Sequence, residues 1–328
     1  MTRAGLKLAA LVIGLAALPL LPSGRAAAET VKIAHSTWVG YGPLYIARDK
    51  GFFKQNGVDV DLIVMEDPKE RFPTLMADRI QMIASTVDTA LLYMKKTTDF
   101  QYVVAIDDSN GGDGIVAKKE ITSIADLKGK HVAVDEGSVS DFYLNVLLTK
   151  AGMKESELQT VNMTAADAGG AFVAGRVDAA VTWEPWLSRG KATKFGHLLV
   201  DSSTSPGLIT DVIIVKTDWA RAHSKEVAGI VKSWNEAVAY YEAHPDESIA
   251  IMAKGVGGWL KNPKDFKETL PGIKFYDAAA NKAFFGTASA PGPLANTVQA
   301  AIDIWSSHGK LQVKPTASDL INYSYVNE

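Results

Sequence analysis

An aromatic and acidic cluster stands near the middle of the chain, directly after a short apolar run. Residues 179–183, AAVTW, are typical of a buried strand, and Trp183, Glu184, Pro185 and Trp186 stand at its end. Proline has no N–H for a strand ladder, so we predict that the strand ends here. A carboxylate between two indole rings could serve as an acid with a shifted pKa or as a partner for a bound cation.

The residues that nucleophilic or metal-assisted catalysis requires are missing from the rest of the sequence. It contains no cysteine, no G-x-S-x-G or H-E-x-x-H motif and no P-loop. The six histidines, at positions 35, 131, 197, 223, 244 and 308, lack the spacing of metal ligands. We therefore predict a binding protein rather than an enzyme, with no catalytic residues, no metal and no cofactor.

Other polar and aromatic residues also follow predicted strands, at the edge where open α/β sheets bind their ligands. Trp38 and Tyr41 follow the first predicted strand, and Asp88 follows the third. The alternative is that the two rings pack beneath the next helix and that Asp88 only caps it. His35 and Trp186 have the same two possible roles, one facing a cleft and one in packing.

Strand-like and helix-like segments alternate along the chain, which predicts parallel sheets with right-handed crossovers. The strand-like runs are residues 31–35, 58–65, 80–86, 101–107, 114–119, 131–136, 158–163, 179–183, 197–201 and 210–216. The helix-like runs are residues 42–57, 68–78, 89–97, 123–130, 141–152, 168–176, 224–244, 246–255, 277–286 and 293–309.

The first 28 residues are predicted to be a secretory signal peptide. Two cations, Arg3 and Lys7, precede an apolar core at 8–21, and residues 26–28 supply an A-x-A cleavage site. The apolar core is too short for a comfortable membrane span, although a retained anchor is the alternative. Removing Arg3, Lys7 and Arg25 takes the net charge from −3 to −6. A mildly acidic exported chain of about two domains disfavours nucleic acid and anionic membranes as partners.

Five longer segments carry a resemblance to a known family. They are WVGYGPLYIARDKGFFKQNGVDVDLIVM, ADRIQMIAST, SIADLKGKHVAV, GRVDAAVTWEPW and TDVIIVKTDWARAH, and together they span most of residues 31–225. In these segments the sequence resembles the periplasmic substrate-binding proteins of ABC importers for taurine, alkanesulfonates and nitrate. The resemblance implies an α/β fold of two Rossmann-like lobes, joined by a two-strand hinge, with a ligand cleft between them. It implies a first lobe at 29–113 plus 217–328, and hinge strands with a second lobe at 114–216.

The resemblance also implies roles for individual residues. In the taurine-binding relatives, an acidic residue at each of the positions matching Asp113 and Asp211 meets the amino group of the ligand. Sulfonate and nitrate relatives bind ligand oxygens near the position that matches Ser138. Here acidic residues, among them Glu136 and Asp141, stand beside that position and disfavour an anion.

We therefore expect a monomeric periplasmic protein that captures a small ligand carrying an amine or guanidinium group. It would deliver this ligand to an ABC permease and its ATPase. Trp183 would stack against Trp38 or Tyr41, and Glu184 would pair with the ligand or with the opposite lobe. Three alternatives remain open: a taurine-, sulfonate- or nitrate-type ligand, an enzyme resembling thiamine-pyrimidine synthases, which depend on cysteines, and a sensory module that presents its ligand to a receptor.

Overall fold

Two β-sheets form the framework of the protein. The computed structural model describes residues 1–2 and 30–327, so the predicted signal peptide lies outside the described residues except for its first two. The strands are β1 Val31–His35, β2 Val60–Val64, β3 Met82–Thr86, β4 Phe100–Ser109, β5 Asp113–Lys118, β6 His131–Val134, β7 Gln159–Asn162, β8 Ala179–Trp183, β9 Gly196–Asp201, β10 Thr210–Lys216, β11 Ile273–Phe275, β12 Gly286–Thr287 and β13 Ala290–Pro291.

Helices cover the faces of both sheets. They are α1 Gly42–Asp49, α2 Phe52–Gln55, α3 Pro68–Met76, α4 Val87–Leu92, α5 Val139–Lys150, α6 Ala165–Val173, α7 Trp186–Lys191, α8 Thr217–Ala222, α9 Ser224–Ala243, α10 Pro245–Val256, α11 Pro263–Thr269, α12 Ala278–Phe285, α13 Leu294–Ser307 and α14 Ala317–Leu320. In residues 30–327, none of the helices combines the length and the apolar character that crossing a bilayer requires.

The two sheets divide the molecule into two lobes. The first lobe has the strand order β11-β4-β10-β3-β1-β2, and the second lobe has the order β7-β6-β8-β5-β9. In each lobe a parallel core, β2-β1-β3 or β7-β6-β8, continues into antiparallel neighbours. Every residue of β3 and β8 is buried, as expected for strands covered on both faces. This arrangement confirms the predicted α/β fold with two lobes.

The chain crosses between the lobes in two short irregular segments. Residues 110–112 join β4 to β5, and residues 202–209 join β9 to β10. The Ser109 and Ser202 hydroxyls lie 2.9 Å apart and tie the two crossings together. The two predicted hinge strands, at 114–119 and 210–216, lie in different sheets. All of β10 belongs to the first sheet, whereas β5 belongs to the second. Within the described residues these two strands pair with other strands and not with each other.

The helix predicted at 42–57 is interrupted near its middle. Gly51 has a φ of 77°, in the left-handed region, and it separates α1 from α2. Glycine adopts this conformation without the cost of a Cβ, which explains why the break falls here. The segment predicted as a helix at 123–130 forms only a 3₁₀ turn, Ile124–Leu127, with Ser123 in a capping box at its start.

The helices after β10 pack mainly with the first lobe. β11 extends the first sheet beside β4. In α13, Trp305 is buried and its indole Nε1 donates to the carbonyl oxygen of Asp88 at 3.0 Å. In α9, buried Trp234 donates from its Nε1 to the carbonyl oxygen of Tyr276 at 2.9 Å. These contacts anchor the C-terminal part of the chain beneath the first sheet.

Candidate functional site

A small cavity lies between the two lobes, at the carboxyl ends of their parallel strands. About 40 Å³ of it is open to the centre of a water molecule, so it suits a small ligand. The segments after β1, β2 and β6, the carboxyl ends of β3 and β8 and the starts of β5 and β10 supply its walls. Open α/β sheets commonly bind ligands at the carboxyl ends of their strands. Its lining residues are Ser36, Trp38, Tyr41, Glu66, Pro68, Arg71, Ser85, Thr86, Thr89, Asp113, Asp135, Ser138, Val139, Trp183 and Asp211.

Two tryptophans from opposite lobes meet across this cavity. Trp38 and Trp183 have ring centroids 6.4 Å apart and an interplanar angle of 77°, an edge-to-face contact. The Trp38 Nε1 donates to both carboxylate oxygens of Asp107, at 3.2 and 3.3 Å. Trp38 and Trp183 therefore both line the cavity, and Asp107 of β4 holds Trp38 in place.

Two close backbone approaches make room for the Trp38 ring. A Cβ on Gly40 would lie 1.9 Å from a carboxylate oxygen of Asp107. A Cβ on Gly112, in the first crossing, would lie 2.6 Å from the Trp38 ring. Any side chain at either position would displace the ring, because contacts under 3.0 Å are not tolerated.

The two acids predicted to face the cleft both line the cavity. Asp113 begins β5, and Asp211 lies in β10 directly opposite Asp107 of β4. The Tyr41 hydroxyl donates a hydrogen bond to Asp211. Burial raises the pKa of Asp113 to about 7, and it also raises the pKa of the neighbouring Asp211 and Asp107 carboxyls.

Four of the residues predicted to bind a ligand do not line the cavity. Asp88 is buried between the lining residues Thr86 and Thr89, and burial raises its pKa to about 7. Glu136 lies in the loop between β6 and α5, and its backbone N–H donates to the side-chain oxygen of Asn162. The carboxylates of the other two residues, Asp141 and Glu184, accept hydrogen bonds from side chains of the protein itself.

Asp141 forms a bridge between the lobes instead of facing a ligand. Its carboxylate accepts from Lys310 Nζ at 2.8 Å and from the Gly137 backbone N–H at 2.9 Å. Asn145 Nδ2 donates to its other oxygen at 2.6 Å. Because these donors satisfy the carboxylate, it does not create the negative potential at the cavity that was expected. The prediction of a ligand contact for Asp141 therefore has no support in the geometry.

Glu184 caps the start of α7. Its two carboxylate oxygens accept from the backbone N–H of Ser188 at 3.2 Å and from the Ser188 hydroxyl at 2.8 Å. The side chain therefore points along α7 and away from the cavity, which Trp183 alone of this cluster reaches. Trp186 packs elsewhere, with its ring centroid 6.2 Å from that of Trp259.

His35 packs behind the cavity. Its ring centroid lies 5.3 Å from that of Tyr41, and its Nε2 lies 2.9 Å from the Tyr45 hydroxyl. The Nδ1 lies 2.7 Å from the Ser36 carbonyl oxygen. Burial lowers the pKa of His35 to about 4, so the ring is neutral near pH 7. His35 therefore supports the aromatic wall of the cavity from behind.

Arg71 is the charged lining residue of α3, and the sequence patterns did not single it out. It lies in α3, is 4% exposed, and presents a buried guanidinium to the cavity. Among the described residues, its Nε and Nη1 have no hydrogen-bond partner. Arg176 and Arg189, the arginines that flank Trp183 and Glu184 in the sequence, are both exposed. The signal that could have found Arg71 was its position near the start of the helix that follows β2, because the segments after parallel strands commonly line such clefts.

The start of α5 stands across the cavity in the second lobe. Ser138 caps this helix, with its Oγ accepting from the Ser140 N–H at 3.1 Å and donating to the Asp135 carbonyl oxygen at 2.7 Å. Burial raises the pKa of Asp135 to about 6, and Lys69 of the first lobe lies 3.8 Å from it. Helix starts favour negative groups, so Ser138 and Val139 place a favourable field for an anion at this wall.

The cavity thus has two poles of opposite preference. Arg71 and the start of α5 favour an anionic group, whereas Asp113 and Asp211 favour a cation. The rings of Trp38 and Trp183 also line the cavity, where they could attract the cationic group of a ligand. In the described part of the chain, no group of three or more His, Asp or Glu residues has the arrangement of a metal site.

Comparisons with known proteins agree with this architecture. The profile of the family described as NMT1/THI5 like matches residues 38–248, more than half of the chain. A protein of Brucella abortus that is described as a binding protein is 28% identical over 212 residues, which cover 64% of this chain. The same alignment spans 66% of that relative, just under two thirds of its length.

A second relative and a solved structure extend the comparison. The taurine-binding periplasmic protein of Escherichia coli is 26% identical over 250 residues, which cover 74% of this chain and 73% of that protein. The crystal structure of the periplasmic aliphatic sulphonate binding protein of Escherichia coli superposes with a TM-score of 0.71 at 20% identity. It covers 92% of this chain and 100% of that one, so the two share their fold.

Proposed function

Because this chain belongs to the NMT1/THI5-like family, we propose that it is a solute-binding protein of an ABC importer whose ligand is a small zwitterion. The ligand carries an amine and a strongly acidic group, as the aminosulfonates do. The protein closes its two lobes on this ligand and delivers it to a permease and an ATPase. The names of its relatives and the predicted signal peptide support a periplasmic location.

Arg71 is the observation that carries this proposal. Its guanidinium is buried, and its Nε and Nη1 lack hydrogen-bond partners within the described residues, which an anionic ligand would supply. A sulfonate or carboxylate can accept two parallel hydrogen bonds from a guanidinium at once. The start of α5 at Ser138 adds a favourable field from the opposite wall.

The carboxylates at the other pole support an amine. Asp113 and Asp211 are buried, and an arriving ammonium would compensate the cost of ionising them. The indole rings of Trp38 and Trp183 would add cation–π attraction, worth about 2 kcal/mol when desolvated. The sequence alone favoured an amine or guanidinium ligand and left a taurine-like zwitterion open. Arg71 moves the balance toward the zwitterion.

Isothermal titration with four small compounds tests the two poles separately. Taurine carries both charges, ethanesulfonate only the anion, and ethylamine and guanidinium only the cation. We expect taurine to bind at least about a hundredfold more tightly than each of the others, since each lost charge pair costs about 2–5 kcal/mol. Tight binding of ethanesulfonate or nitrate with no benefit from an amine would overturn the zwitterion.

Two charge-removing variants with matched controls complete the test. Arg71→Gln and Asp211→Asn should each weaken taurine binding by about two orders of magnitude or more. Arg79→Gln and Asp218→Asn change exposed residues of the same types and should leave it unchanged. A pure cation would suffer from Asp211→Asn alone, and a pure anion from Arg71→Gln alone. Circular dichroism of each variant checks that it is folded.

A further inference from the structure

Three adjoining spaces lead from the cavity between the lobes toward the surface. The inner cavity shares three lining residues, among them Trp183, with a neighbouring hollow. That hollow shares three lining residues, among them Trp259, with a groove on the second lobe. About 40 Å³ of the inner cavity, 280 Å³ of the hollow and 830 Å³ of the groove are open to the centre of a water molecule. The spaces therefore widen outward along one route.

The lining of the hollow suits the passage of a small polar solute. The Glu66 and Asp167 carboxylates in its wall accept hydrogen bonds from the hydroxyls of Thr37 and Thr164, at 2.6 and 2.8 Å. These acids are thus satisfied within the protein and do not require a charged partner from the ligand. A polar space of this size holds water, so a solute that leaves the inner cavity can cross it in hydrated form.

Trp259 stands on the first lobe where the hollow meets the groove, and it lines both. It lies in the 3₁₀ turn Gly258–Leu260 that follows α10. Leu260 is buried, and Gly258 has a φ of 53° and approaches the loop after β1 closely. A Cβ on Gly258 would lie 3.2 Å from the Thr37 hydroxyl oxygen. The turn that carries Trp259 is thereby fixed to the first lobe.

Trp186 reaches the same point from the second lobe. It begins α7, and it packs so closely on α6 that a Cβ on Gly169 would lie 2.4 Å from its own Cβ. The Arg189 guanidinium covers its ring, 4.7 Å from the centroid. The ring centroids of Trp186 and Trp259 lie 6.2 Å apart at an interplanar angle of 59°, within the range of favourable aromatic pairs. A contact between the lobes therefore spans the outer end of the hollow.

We propose that Trp186 and Trp259 form a gate that retains the ligand in the closed protein. Within residues 30–327 the chain connects the lobes only at 110–112 and 202–209, so the two rings part when the lobes open about these crossings. The gate slows release of the ligand and has little effect on its entry, because entry takes place through the open cleft. This inference rests on the proposed function, because it requires a protein that closes on a solute.

Family membership does not by itself predict this gate. The family profile matches residues 38–248, and Trp259 lies beyond that segment. Trp186 stands in the aromatic and acidic cluster of the sequence, but it does not line the inner cavity. The gate gives this second tryptophan of the cluster a role in retaining the ligand rather than in contacting it.

Release of radiolabelled taurine from the mature protein into an excess of unlabelled taurine tests the gate. Trp186→Ala and Trp259→Ala should each release taurine about tenfold faster than the wild type, while the association rate changes less than about threefold. Trp259→Phe keeps a ring at this position and should release taurine within about threefold of the wild-type rate. Trp219→Ala removes a half-buried tryptophan of the first lobe that stacks on His223 and lines none of the three spaces, so this matched control should change neither rate.

The double variant distinguishes a gate from two separate packing defects. Because the two rings act through one contact, Trp186→Ala combined with Trp259→Ala should release taurine about as fast as each single variant. Independent effects would multiply to about a hundredfold and would overturn the gate. Circular dichroism of each variant checks that it is folded.

The outcomes also separate the gate from the proposed function. If the wild type binds taurine but Trp259→Ala releases it at the wild-type rate, the gate is wrong and the proposed function stands. If the wild type binds ethanesulfonate, ethylamine or guanidinium instead of taurine, the zwitterion is wrong, and release of that compound from the same variants decides about the gate. If none of the four compounds binds, the proposed function and the gate fail together.

Discussion

Among the single residues of the cleft, buried carboxyl groups outnumber buried cationic groups. Asp88, Asp107, Asp113 and Asp211 are buried within electrostatic reach of one another, and Arg71 is the guanidinium that lines the same cavity. Burial raises the pKa of each of these carboxyls, to about 7 for Asp88 and for Asp113. Near neutral pH the folded protein therefore holds protons that the unfolded chain has released.

Asp88→Asn should raise the free energy of unfolding more at pH 8 than at pH 5. The unfolded carboxyl loses its proton at about pH 4, whereas folded Asp88 keeps it up to about pH 7. Stability therefore falls as pH rises between these values. Asparagine avoids this loss, which between pH 5 and pH 8 is on the order of 3 kcal/mol. Urea unfolding of the ligand-free protein at both pH values measures the difference.

The difference in unfolding free energy between the wild type and Asp88→Asn can be attributed to Asp88 for two reasons. Burial lowers the pKa of His35 to about 4, so its contribution falls as pH drops through the acid range, but it is common to both proteins and cancels. Asp218→Asn, at an exposed acid of α8, should change stability at neither pH. A gain of equal size at pH 5 and pH 8 would show that ionisation of Asp88 is not its cause.

At the level of elements, α7 limits the size of the side chains that α6 can carry where the two helices pack together. It contains two adjacent glycines, Gly169 and Gly170, and it packs against α7 of the same lobe. A Cβ on Gly169 would lie 2.4 Å from the Cβ of Trp186, whereas a Cβ on Gly170 would meet that ring at 3.9 Å. One glycine is thus required by packing, and its neighbour is not.

Gly169→Ala and Gly170→Ala should therefore change stability in opposite directions. Gly169→Ala forces Trp186 and α7 to move and should cost about 1–3 kcal/mol. Gly170→Ala meets only ordinary van der Waals contact and should gain about 0.5–1 kcal/mol, since alanine loses less entropy in a helix. The two variants serve as controls for each other in urea unfolding. Two stabilising or two destabilising results would contradict the packing of α7 on α6.

Across the whole molecule, side chains from the two lobes meet at several places around the cavity. Trp38 meets Trp183, and Lys310, which follows α13 of the first lobe, reaches Asp141 of α5. Asp141 has no exposed side-chain surface, and it also holds the Gly137 N–H in the loop that leads to Ser138. The ion pair thereby links contact between the lobes to the conformation of the loop between β6 and α5, which contains Gly137 and Ser138.

Lys310→Met should weaken ligand binding by about tenfold, because the closed state loses a partner for a buried carboxylate. We also expect a larger radius of gyration for this variant at a ligand concentration that closes the wild type, measured by small-angle X-ray scattering. Lys267→Met breaks an exposed pair with Asp246, 3.7 Å apart, and should change neither quantity. Unaltered affinity and closure in Lys310→Met would show that this ion pair does not contribute to closing the lobes.

Local patterns in the sequence predicted a large part of this fold. β1, β8 and β10 have the predicted bounds, and most other strands and long helices differ from the predictions by one to four residues at their ends. Apolar periodicity is a property of neighbouring residues, so a short window is enough to recognise it. The same argument placed Trp38 and Trp183 at the cavity, because each follows or ends a predicted strand at its carboxyl end, whereas Ser138 was expected there from the family resemblance.

The partners of charged residues were determined only by the tertiary structure. The sequence placed carboxylates at strand ends, and Asp113 and Asp211 line the cavity as predicted, but Asp141 and Glu184 turned out to be satisfied by Lys310 and Ser188. Arg71 is far from both cavity acids along the chain. It shares the cavity with Asp211 because the first lobe brings α3 and β10 together, and with Asp113 because the second lobe packs against the first. Periodicity determines which face of an element is buried, whereas the balance of charge in a cleft depends on contacts between elements that are distant in sequence.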